Sequence, residues 1–131
     1  MTKSDWVDLA VLERKKYNLL SEVMDLSKQL GEVMDRNDDV SIRLLLAMRQ
    51  EPLLQLQELK RATEIKKESL SPEDRERVSA LNQGAAPRGE EETAYQNQAG
   101  SARRLLERVV ELDDRLNRRM GGKDSFYTQK Q

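Results

Sequence analysis

Residues 5–36 carry apolar side chains at Leu9, Leu12, Leu19, Val23, Leu26, Leu30 and Val33, with Lys16 filling the one remaining position of the repeat. The spacings run 3, 4, 3, 4, 3, 4, 3, which is a heptad seam and has no counterpart in the period of two of a β-strand. At about 1.5 Å per residue this stretch predicts a rod of roughly 48 Å. Leu20 and Met34 widen the stripe on one flank, so the buried face suits a bundle better than a two-stranded seam. Gly31 lies inside the rod and costs about 1 kcal/mol relative to Ala, which packing must offset.

The rest of the chain agrees with an all-α reading. Leucine occurs 19 times against 8 Val and 2 Ile, and one Phe, one Trp and three Tyr are poor material for a sheet. Turn-forming residues at Asn37-Asp38-Asp39 end the first helix, and Asp38 or Asp39 caps the second. That second stretch runs from Val40 to Glu68. Val40, Leu44, Leu45 and Met48 are expected on one face, with Leu53, Leu56, Leu59, Ala62 and Ile65 continuing it after a shift in register at Pro52. Pro52 removes one intrahelical hydrogen bond, so a kink near residues 48–51 is expected, or a break and restart. Ser71-Pro72-Glu73-Asp74 opens a short helix to Asn82: a cap, a proline at the first turn and two carboxylates at the positive end of the dipole. A loop at about 82–89 precedes the last helix, Glu90–Met120, whose stripe is Ala102, Leu105, Val109, Leu112 and Leu116. Gly121-Gly122 stops it. The expected architecture is all-α: an elongated antiparallel helical bundle, or coiled-coil hairpin, of three to four helices. Residues 1–122 form one domain and 123–131 a flexible tail.

Chemistry is scarce. With no Cys and no His, thiol nucleophiles, histidine acid–base pairs and Cys/His zinc sites are excluded. Asp38-Asp39, Glu90-Glu91-Glu92 and Asp113-Asp114 read as solvated or capping charges, because adjacent helix residues diverge by about 100° and do not converge on a cation. No phosphate-binding glycine loop is present. We therefore expect no catalytic residues, no metal and no cofactor. A net charge of −1 gives no general attraction to nucleic acid or an anionic membrane. The basic excess at Arg103, Arg104 and Arg108 is interleaved with acids and lacks stacking aromatics, so it reads as a solvated face. Trp6 and Tyr95 read as packing at a bundle end. With no long apolar run and no leader-like N-terminus, an intracellular, soluble protein is expected.

Two features point to a protein partner. Leu44 to Met48 cover more than one helix face, and several methionines lie on or beside apolar stripes. The expected binding groove lies between the second and last helices, lined by Leu45, Met48, Leu105, Val109 and Leu112, and would take a helical segment. The rival expectation is a structural coiled coil that dimerises and binds no cargo.

The arrangement of long paired helices, with Leu44–Leu59 in the second, Leu105–Leu112 and Leu116-Asn117 in the last, and an aromatic tail at Lys123–Tyr127, resembles the FlgN-type flagellar secretion chaperones. That resemblance implies a cytoplasmic, non-enzymatic protein. Its cargo would be the helical C-terminal segments of hook–filament junction proteins, held before export. Phe126 and Tyr127 would then form a second contact, to the export machinery.

Overall fold

The computed structural model describes residues 1–121, and Phe126, Tyr127 and the expected tail lie outside them. Four helices account for 86% of the described residues, and no strand occurs among them. They are α1 (Lys3–Asp35), α2 (Asp39–Glu68), α3 (Pro72–Asn82) and α4 (Glu90–Arg119). The α1–α2 hairpin is antiparallel. Contacts of Trp6 with Tyr95, Ser27 with Asp113 and Asp35 with Arg119 show that α4 runs parallel to α1 and therefore antiparallel to α2. Both long helices pack along α1, and α3 packs on α4.

The helix ends follow local chemistry. At the start of α1, Thr2 Oγ1 accepts from the Asp5 amide at 3.1 Å while the Asp5 carboxylate accepts from the Thr2 amide at 3.0 Å, a reciprocal capping box. Asn37 adopts a left-handed φ of 54°. Its amide bonds to Met34 O and the Asp38 amide to Val33 O, both at 3.1 Å, which satisfies the last carbonyls of α1 by a Schellman arrangement. Asp38 then caps α2 by accepting from the Ser41 amide at 3.1 Å. One three-residue cluster therefore ends one helix and begins the next. Gly84, at φ 102°, repeats the Schellman arrangement after α3.

The seam of α1 is the spine of the core. Leu9, Val23, Leu26, Leu30 and Val33 are buried, and Leu20 joins them from the flank. Three layers stack along the spine. Trp6 and Leu9 meet Leu70, Val78, Leu81 and Tyr95 at one end; Leu20 and Val23 meet Leu105 and Val109 in the middle; Leu26, Leu30 and Val33 meet Leu45 and Leu116 at the other end. Trp6 and Tyr95 rings sit 5.6 Å apart and tilted by 51°, closing the bundle end as expected. A Cβ added at Gly31 would lie 3.5 Å from Leu116, so the helical glycine lies against α4 at this layer.

The register of α2 differs from the expected one. Val40, Leu44 and Met48 are exposed, and the buried stripe is Leu45, Arg49 and Pro52. It continues without a shift through the half-buried Leu53, Leu56, Leu59 and Thr63. The helix is also unbroken at Pro52. An arginine occupies a core position, and counting it as a surface residue moves the apparent apolar face onto the outside of the helix.

Removing a buried side chain from the spine should dominate stability. Leu30→Ala is expected to cost about 2–5 kcal/mol, whereas Val7→Ala, half exposed on the same helix, should stay within about 0.5 kcal/mol. Urea unfolding followed by circular dichroism measures both.

Candidate functional site

The expected site residues do not form one surface. Leu45 is buried with Leu26, Leu30 and Leu116, and Leu112 packs partly buried against the same layer. Leu105 and Val109 are buried against Leu20 and Val23. Met48 lies outside, 47% exposed. Four of the five thus serve the internal core, because α4 turns its stripe toward α1 rather than toward a cleft beside α2.

An apolar channel does exist, on a different face. It runs between α1 and α2, holds about 760 Å³, and is walled by Leu12 and Leu20 from α1 and by Leu46, Leu53, Leu56 and Leu59 from α2, with Leu106 of α4 closing one side. Its origin is the spacing of the core layers. Between Leu9 and Leu20 the seam of α1 offers only the half-buried Leu12, Lys16 and Leu19, and α2 answers with Leu56, Leu59 and Thr63, also half-buried. At its far end α2 is held to α1 by ions: Lys66 Nζ donates to Asp5 at 2.8 Å and to Asp8 at 3.1 Å. The helices are tied at both ends of a stretch that aliphatic side chains leave unfilled. Glu13, Lys16, Lys60, Glu64 and Lys67 stand along the channel, three cations against two anions.

One end of the channel reaches Arg49, the largest fully buried side chain. The Arg49 guanidinium donates to both carboxylate oxygens of Asp113, at 2.8 and 2.9 Å, and Ser27 Oγ, itself buried, donates to the same carboxylate at 3.4 Å. Three helices meet at this polar knot. Asp113 is therefore not the solvated charge expected from its sequence: it is a quarter exposed and locked to α2. Burial raises its pKa above the ordinary carboxylate value, while Arg49 and Ser27 pull against that rise. Asp113 faces inward and Asp114 outward, as the helical angle requires.

Among the described residues no group of acidic side chains is placed to hold a metal ion. The arrangement offers an apolar slot, a charged rim and a structural ion pair. Arg103, Arg104 and Arg108 are exposed on α4, and Arg103 donates to the Asn82 carbonyl at 3.1 Å, bracing the end of α3. Comparison with protein-family models, curated proteins and solved structures gives no match. Among the described residues no helix is long and apolar enough to cross a membrane.

The polar knot predicts a non-additive double mutant. Arg49→Met alone should cost on the order of 2–3 kcal/mol, below the 3–5 of a fully enclosed pair because Asp113 keeps some contact with water. Arg49→Met with Asp113→Leu should recover most of that loss, since no charge is then stranded.

Acid stability follows from the carboxylates. Asp5 is lowered to about 2, first by its hydrogen bond from Lys66 and then by the Thr2 backbone. Asp38 is lowered by Ser41, and Glu92 by Arg77, whose Nη2 donates to it at 2.5 Å. Lowered pKa values stabilise the fold above the unfolded-state values and lose that contribution as pH falls through the folded ones. Asp113, raised, works in the opposite sense. With three groups against one, melting temperature should drop between about pH 4 and pH 2, and Asp5→Asn should flatten the drop.

Proposed function

We propose that this protein is a helical binding module whose α1–α2 channel shelters an amphipathic helix from a partner protein. The channel itself carries the reading. From Leu46 to Thr63 it extends about 26 Å along α2, a length that matches about five turns of helix and exceeds a compact metabolite. Leu53, Leu56 and Leu59 repeat at intervals of three along its wall. They can seat aliphatic anchors of an incoming helix at i, i+3 or i+4, and i+7. Three such anchors at about 1.5–3 kcal/mol each offset the cost of association and reach micromolar affinity. The excess of lysine over glutamate at the rim favours acidic flanks on the guest, and the exposed arginines of α4 speed encounter with it.

The resemblance to FlgN-type chaperones supplies a finer form of this reading. The module would be a cytoplasmic export chaperone, and the guest the C-terminal helical segment of a flagellar hook–filament junction protein. Leu44–Leu59, which carries part of that resemblance, includes all three of the wall leucines at intervals of three.

Calorimetry on the full chain tests both levels. A peptide from the C-terminus of a junction protein should bind with micromolar affinity and a negative heat-capacity change, and Leu59→Asp should abolish binding while helicity is retained. Binding of an unrelated acidic amphipathic helix with equal affinity would keep the module and remove the flagellar assignment. Binding of neither would remove both.

A further inference from the structure

The outer face of α2 carries a second apolar seam, which touches the channel edge only at Leu54. Val40 is 78% exposed, Leu44 59%, Leu54 52% and Ile65 58%, and Ala47 is exposed between them. With Glu51, Glu58 and Arg61, also exposed, these residues occupy positions spaced 4, 3, 4, 3, 4, 3, 4. That is a heptad repeat turned toward solvent. We propose that a second copy of this chain covers it, through α2 of each copy packed antiparallel about a two-fold axis near residues 52–53.

The pattern itself selects that orientation. The spacing reads the same in both directions, so reversing one helix keeps the seam in register. Val40 then faces Ile65 of the other copy, Leu44 faces Arg61, Ala47 faces Glu58, and Glu51 faces Leu54. Every charged seam residue meets an apolar one, whose surface can carry its methylene stem while the charge reaches water. Glu58 also comes within one helical turn of Arg43 of the other copy. A parallel pair would set Glu51, Glu58 and Arg61 each against its own equivalent, three like-charge contacts in one seam. Self-pairing through the same patch on both chains is the isologous geometry that closes at a dimer.

The seam is about 38 Å long and about 10 Å wide on each chain, so a pair covers on the order of 800 Å², below the ~1,200 Å² of stable complexes. The dimer is therefore reversible, with a dissociation constant on the order of 10–100 µM. Its face meets the channel at Leu54, which also lines the channel edge, while Val40, Leu44 and Ile65 lie outside it.

Sedimentation velocity of the full chain from 5 to 500 µM should show a monomer–dimer equilibrium. Leu44→Lys and Leu54→Glu, both at exposed positions, set like charges against Arg61 and Glu51 of the other copy and should weaken it at least tenfold with an unchanged melting temperature. Leu59→Asp, in the channel, should leave it unchanged. The chain has no cysteine of its own, so introduced thiols report orientation. A mixture of Val40→Cys and Ile65→Cys chains should oxidise to the mixed dimer, and Val40→Cys alone should remain uncrosslinked. A monomer at 500 µM, a dimer indifferent to both like-charge variants, or a Val40→Cys homodimer would each overturn the proposal.

Discussion

The buried contact between Arg49 and Asp113 decides how the three long helices sit against one another. Both α2 and α4 pack on α1, and a leucine seam by itself tolerates sliding and rotation of each. A guanidinium that is 2% exposed tolerates neither. It must meet its carboxylate, and Nη2 donating to both oxygens at 2.8 and 2.9 Å sets the rotation of α2 and the height of α4 together. Ser27 fixes the same carboxylate from α1. A buried ion pair contributes little net stability over an apolar substitute. Its role here is to exclude other registers, which in a leucine-rich bundle are close competitors.

Fixing α2 in that rotation has consequences on both of its faces. With Arg49 inward, Leu45 and Pro52 follow it into the core, and Leu53, Leu56 and Leu59 line the channel. Val40, Leu44, Leu54 and Ile65 are left facing water. A helix with apolar residues on two sides has little overall amphipathic character, which is why its face is hard to assign. Both proposed binding surfaces arise from one constraint.

The helices and their ends are legible in the sequence because they depend on neighbours within a few residues. Heptad spacing marks α1 and α4, and Ser71-Pro72-Glu73 marks α3; the expected limits lie within two residues of those observed. The Schellman role of Asn37 goes beyond the simple turn expected there, although an asparagine just past a seam is a usable signal for a left-handed cap. The site is not legible, for a different reason. Which face of α2 turns inward depends on Arg49 finding Asp113, residues 64 apart in sequence. Local periodicity reads apolar positions and passes over an arginine, so it offers no sign that Arg49 is buried, and it puts Asp113 in solvent where the structure buries most of it. The expected groove fails with that assignment: Leu105 and Val109 do form a stripe, but a stripe in a bundle is core before it is anything else.

The channel and the ion pair are linked by more than proximity. Aliphatic layers flank the Ser27–Arg49–Asp113 knot, Leu20 and Val23 on one side and Leu26, Leu30 and Val33 with Leu45 of α2 on the other, and they lapse toward Leu12, beyond which α2 is held by Lys66 on Asp5 and Asp8. Ion pairs near the surface contribute little stability of their own, so the helices are held there by less than the aliphatic layers supply elsewhere. An apolar guest filling the gap would add the burial that α1 and α2 lack there, and would do so without breaking the Arg49 knot. The stable half of the hairpin thus sets the geometry, and the under-packed half keeps it available.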